Sequence, residues 1–139
     1  MRFKFKRIGS GREITVNVGK YLIDWDKKCR SKFQFDVNQW FRKYWKSHIC
    51  LSEMPVFGSK MSCDLVNLTR RVVCEMNGIQ HDQWNSHFQP TRLSWLNQMT
   101  RDEMKRERCE MNNLQLVVVE PDDVLSLQFF RERFGLELP

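Results

Sequence analysis

Two acidic residues interrupt runs that are otherwise suited to a sheet interior. Asp64 lies within Ser62-Cys63-Asp64-Leu65-Val66 and Glu75 within Val72-Val73-Cys74-Glu75-Met76, 11 residues apart. An unpaired carboxylate in apolar surroundings is costly, so two in adjacent core strands require a reason. A shared divalent cation supplies one. Hard carboxylate oxygens suit Mg²⁺, with Mn²⁺ as an alternative, and Mg²⁺ keeps positions for water and phosphate. The structural alternative is an ion pair between one acid and Arg70, Arg71 or Lys60. After the second acid the chain reads Glu75-Met76-Asn77-Gly78-Ile79-Gln80-His81. Gly78 permits a sharp turn that returns Gln80 and His81 toward the same carboxylates. His81 is then a candidate base on water, or a ligand of the scissile phosphate.

These residues need a scaffold. Arg2-Phe3-Lys4-Phe5-Lys6 and Ile14-Thr15-Val16-Asn17-Val18 alternate around Gly9-Ser10-Gly11, which predicts a hairpin within residues 1–25 whose outer face carries Arg2, Lys4 and Lys6. Residues 31–47 repeat Phe33, Val37, Trp40, Phe41, Tyr44 and Trp45 at helical spacing, with Ser31 and Gln34 as a capping box. Three strands follow at 49–56, 61–67 and 71–76. A helix then begins at Thr91 or Thr100, with Leu93, Leu96, Met99 and Met104 as its buried stripe, and runs to Asn112-Asn113. Leu114–Val119 reads as an interior strand. Pro121-Asp122-Asp123 opens a last helix that turns Leu125, Phe129, Phe130 and Phe134 inward and closes at Gly135. The order ββ-α-βββ-α-β-α predicts an α/β or α+β sheet layered with helices, in one domain spanning 1–139. The tail Phe134-Gly135-Leu136-Glu137-Leu138 is apolar enough to serve as a docking surface.

Composition bounds the function. The chain has 139 residues and a formal charge of +6. Residues 1–50 hold 13 Lys and Arg against 4 Asp and Glu, whereas residues 51–139 hold 10 against 13. A cationic half of this kind attracts a polyanion, most commonly nucleic acid. Five cysteines without a C-x-x-C pair argue against a zinc site or disulfide framework, and Cys63 and Cys74 read as core residues. With no signal peptide and no run of about 18 apolar residues, an intracellular protein free of the membrane is expected.

The chain resembles the PD-(D/E)XK nuclease superfamily, in the branch of very-short-patch-repair endonucleases and related phage and mobile-element homing endonucleases. The resemblance covers Ser31 to about Val124. Its pieces are Ser31-Lys32-Phe33-Gln34, Glu53-Met54-Pro55-Val56 with Gly58, Asp64, Glu75-x-x-Gly78-x-Gln80-His81, Asn85, Phe88, Arg101-Asp102 with Lys105, and Leu116–Glu120. It implies a restriction-endonuclease-like mixed sheet flanked by helices: a core at 31–124, a basic hairpin extension at 1–25 and a C-terminal helix at 125–139. It also implies that Asp64 and Glu75 are Mg²⁺ ligands in a DNA endonuclease. Where many members carry a lysine two residues beyond the second acid, this chain has Asn77, so Gln80 and His81 are the candidate substitutes. Gln34 stands where a helix-borne glutamate often completes the metal site, and Glu53 is the acid placed to compensate.

The expected partner is double-stranded DNA, bound by Lys4, Lys6, Arg7, Lys60, Arg101 and Lys105. Trp84 is a candidate for wedging between bases or stacking on them. One centre cuts one strand, so a double-strand cut needs a homodimer or two nicks. A junction- or mismatch-specific endonuclease, and an inactive nuclease-derived DNA-binding module, are the competing expectations.

Overall fold

The structure, a computed structural model, describes residues 1–7, 11–55, 61–77 and 92–139. Strands β1 (Arg2–Lys6) and β2 (Glu13–Asn17) pair antiparallel, Phe3 opposite Val16 and Phe5 opposite Ile14. The period-2 pattern is the cause. Phe5 is buried, while Arg2, Lys4 and Lys6 face solvent. A 3-10 turn at Val18–Tyr21 leads toward α1 (Lys32–Trp45). Ser31 caps α1 as expected, its Oγ accepting from the Gln34 N–H at 3.1 Å.

Strands β3 (Cys50–Pro55), β4 (Ser62–Asn67), β5 (Val72–Met76) and β6 (Gln115–Val119) form a mixed sheet in that order. The first two pairings are antiparallel and β5–β6 is parallel. The parallel pair needs a crossover, and α2 (Arg92–Met111) provides it. A third helix, α3 (Leu127–Phe134), closes the fold. One sheet face packs on α1 and α3 through Phe41, Trp45 and Phe130, joined by Leu65, Cys74 and Val117. The other face packs Met54, Cys63, Val66 and Val73 against Cys109 of α2 and against Phe5 and Val18. The result is a mixed α/β layered domain with an N-terminal hairpin.

Three expectations are corrected. The stripe on α2 is not buried: Leu93 is 67% exposed, Leu96 44% and Met99 38%. The helix is instead buried through its second half, at Arg108 and Cys109, because that half lies over the sheet. Second, Pro121-Asp122-Asp123 does not open α3. Asp123 closes a turn, its N–H donating to the Glu120 carbonyl at 3.0 Å and its Oδ2 accepting from the Glu120 N–H at 2.8 Å. The N-cap is Ser126, whose Oγ accepts from the Phe129 N–H at 3.0 Å. Third, the C-terminal tail is not a free docking surface. Leu136 and Leu138 are 7% and 1% exposed and belong to the core.

Gly135 makes that return possible. Its φ is +65°, and the Leu136 N–H reaches back to the Phe130 carbonyl at 3.1 Å. A Cβ at this position would meet nothing within 4 Å, so only backbone strain opposes Gly135→Ala. That variant is expected to lose about 1 kcal/mol in urea unfolding. No loss would remove the assigned cause of the tail's docking.

Candidate functional site

The register of β4 and β5 brings the two acids together. Leu65 pairs with Cys74, so one step further Asp64 stands opposite Glu75. There the backbone ladder gives way to a side-chain bond, with Asp64 Oδ2 accepting from the Met76 N–H at 2.8 Å. Glu75 is 6% exposed. Burial, and then the Asp64 carboxylate hydrogen-bonded to it, push the Glu75 carboxyl up to about 8. At neutral pH and without a metal, the Glu75 carboxyl therefore holds its proton.

Opposing that push is Lys105 of α2, whose Nζ lies 3.1 Å from Glu75 Oε1. The lysine side chain is 18% exposed. Desolvation, the largest single influence, would depress its pKa, but the charge and hydrogen bond of Glu75, with Cys63 and Asp64 behind them, together raise the ammonium above its ordinary value. Asp64, Glu75, Asn77, Arg101 and Lys105 line one cleft of about 450 Å³, with Arg30 on its border. Glu75, Asn77 and Lys105 also border a second cleft, of about 350 Å³, with Asp102, Glu103 and Glu120 on its wall.

Glu53 completes a row of three acids across β3, β4 and β5, since Ser52 pairs with Leu65 and Met54 with Cys63. Yet Glu53 is not joined to the other two. Its φ of +50° breaks the strand pairing at this point, and its Oε1 takes the Arg30 Nε at 3.1 Å instead. Alternation fails here as well. Leu65 belongs to the core against α1, whereas Cys63, two residues earlier, belongs to the core against α2. A backbone break of this kind re-aims side chains next to functional sites.

The remaining candidates divide. Asn77 lies at the cleft, its N–H donating to the Val119 carbonyl at 2.9 Å. Arg101 and Lys105 share the cleft, as their four-residue spacing predicts. Gln34 is 6% exposed and its Nε2 has no hydrogen-bond partner among the described residues. It is not one of the described residues lining the acid cleft. Lys4, Lys6 and Arg7 are exposed on the hairpin. The Lys6 backbone is pinned by Asn112, which accepts from its N–H at 2.6 Å and donates to its carbonyl at 3.1 Å. Asn112 lies seven residues beyond Lys105, roughly 10 Å along the helix axis. Gln80, His81, Lys60, Trp84, Asn85 and Phe88 lie outside the described residues.

Neither arginine proposed as a structural partner touches the acids. Arg70 donates to the carbonyls of Glu137 and Pro139, and Arg71 to those of Asn112 and Asn113. Among the described residues no group of three His, Cys, Asp or Glu side chains is arranged to hold a metal, so Asp64 and Glu75 stand as a pair. All five cysteines are free, and burial pushes the Cys50 and Cys109 thiols up to about 12.

Two contacts escape the linear reading. Lys105 reads there as a phosphate contact, not as the partner of Glu75. The available signal was its spacing: Lys105, Cys109 and Asn112 recur at four and three, and the latter two are buried. Arg30 carries no such signal, because it sits in a loop.

No family model and no solved structure matches this chain. It is 35% identical over 65 residues to the uncharacterized protein 033L of Invertebrate iridescent virus 3, covering 47% of this chain and 34% of that one. It is 42% identical over 45 residues to the uncharacterized protein 307L of Invertebrate iridescent virus 6, covering 32% and 23%. The matched stretches thus span about a third or less of these viral relatives.

Proposed function

We propose that this chain is a metal-dependent DNA endonuclease with a restriction-endonuclease-like core. The observation that carries the reading is the triad of Asp64, Glu75 and Lys105. It consists of two contacting carboxylates on adjacent strands, with a lysine delivered by the crossover helix. The donor set fits Mg²⁺ or Mn²⁺. A carboxylate buried against a second carboxylate is destabilised when ionised, and a divalent cation removes that penalty. Asp64 and Glu75 would hold the ion, which when bound supplies positive charge and an acidified water.

The chain's own groups do the rest. Lys105 keeps a charged ammonium at the cleft, where it stabilises negative charge developing on a phosphate oxygen. It thereby takes the part that Asn77, being neutral, cannot. Asn77 donates a hydrogen bond from its amide. Arg101 and Arg30 flank the cleft and position the phosphate backbone of double-stranded DNA. A single centre nicks one strand, so a double-strand cut requires a second copy or a second event.

The test is plasmid relaxation by the purified chain with Mg²⁺, Mn²⁺ or EDTA. Nicked product with either metal and none with EDTA is expected. Intact plasmid with every metal, together with intact mismatched and branched duplexes and retained DNA binding, would instead make the chain a binding module. Binding itself should fall steeply between 50 and 200 mM salt, by about tenfold or more.

A further inference from the structure

A third cleft, of about 530 Å³, is lined by both members of the Arg30–Glu53 ion pair. Arg30 borders this cleft and the acid cleft, so the two adjoin. Lys20, Lys27, Lys28 and Arg30 bring four cations to its wall, and Tyr21 adds an aromatic side. Its two acids are already occupied. Glu53 is held by Arg30, and Asp24 Oδ1 accepts from the Asp26 N–H at 3.0 Å. No ion pair is made by Lys27 or Lys28 among the described residues.

Asn38 also lines this cleft and is 3% exposed. Its amide nitrogen donates to Cys29 Sγ at 3.3 Å, while its Oδ1 has no partner among the described residues. A buried carbonyl without a donor calls for one. A simple anion answers the lysines but would set negative charge against that oxygen. A nucleotide answers both, with a phosphate for the cations and a base N–H for Asn38.

We infer that this cleft receives one unpaired nucleotide of the substrate, its phosphate on Lys27 and Lys28 and its base edge on Asn38. The inference rests on the nuclease reading and narrows it to DNA carrying an unpaired nucleotide beside the cut. A base already out of the stack enters without the cost of unstacking, which is the source of the preference. Tyr21 and the stem of Lys20, whose Nζ lies 5.3 Å from the ring centroid, form the apolar side.

The experiment is fluorescence anisotropy of the full chain in EDTA, so that no cleavage is involved. A plain duplex is compared with the same duplex bearing one extrahelical nucleotide. The bulged duplex is expected to bind about tenfold more tightly. That ratio should collapse in Asn38→Ala and in Lys27→Ser/Lys28→Ser, the second pair being exposed and harmless to folding. A deoxynucleoside monophosphate should erase the preference where equal inorganic phosphate does not. Equal affinity for the two duplexes, a ratio unchanged in both variants, or erasure by inorganic phosphate alone would each overturn the inference. The nuclease reading is decided separately, by metal-dependent nicking. An active enzyme without the preference loses only the pocket, and an inactive protein with it keeps the pocket and loses the chemistry.

Discussion

Glu75→Gln is expected to abolish cleavage and, at the same time, to stabilise the metal-free protein at alkaline pH. The two effects share one cause. Burial and the neighbouring Asp64 raise the Glu75 pKa to about 8, against 4.5 for an unstrained glutamate. Between those values the folded state holds a proton that the unfolded state has released. Stability from this group is therefore complete below about pH 4.5 and is lost as pH rises through about 8. Each unit is worth about 1.4 kcal/mol, so the loss by pH 9 is on the order of 5 kcal/mol. Glutamine imitates the protonated acid and has nothing to lose. Its unfolding midpoint should match the wild type near pH 5 and exceed it above pH 8. Mg²⁺ should restore the wild type at high pH and leave the variant unmoved, since only a ligand of the folded state stabilises it. Cleavage should fall by about 10³-fold or more in Glu75→Gln and in Asp64→Asn, because either change removes a charge from the ion's donor set. Thermal unfolding at two pH values, with Mg²⁺ and with EDTA, reads the first effect, and plasmid nicking reads the second. Retained cleavage in both variants would remove the assigned centre.

Lys105→Met should lower the cleavage rate by about 10²- to 10⁴-fold and DNA affinity by less than tenfold. A group that acts on developing charge shows itself in the chemical step more than in binding. The lysine is 3.1 Å from Glu75 and largely buried, so its removal also takes away the cation that, among the described residues, opposes the acid's upward shift. The variant's pH–rate profile should accordingly move to higher pH, and Lys105→Arg should return part of the rate and most of the profile. A merely structural lysine would cost stability without moving the profile. An unshifted profile with a normal rate would assign the chemistry elsewhere, with His81 the first alternative.

Much of the candidate site was legible because it lies on regular elements. Asp64 and Glu75 were visible as charges inside apolar strands, and the short connection between them predicts their meeting. Arg101 and Lys105 follow from helical spacing. Glu53 was legible as an acid in the neighbouring strand but not as the partner of Arg30. Its left-handed backbone has no signature in a non-glycine residue. The exposed face of α2 was misread for a related reason. Leu93, Leu96 and Met99 have the right spacing for a buried stripe, but spacing reports which residues share a face and not whether anything covers it.

Local chemistry thus determined the order of elements, the capping of α1 by Ser31, the inward and outward faces of the hairpin and the interior character of β5, but not the place of β6, which reads as an interior strand and stands at the sheet edge. Each depends on neighbours within a few residues, where period and cap residues act directly. Tertiary structure alone decided which cation meets Glu75, where Leu136 and Leu138 go, and which polar atoms of α1 find no partner among the described residues. Those outcomes depend on the parallel crossover that lays α2 beside β6, and on Gly135 turning the tail back into the core. Both join residues tens of positions apart, and no pattern along the chain encodes such a meeting until the layers have packed.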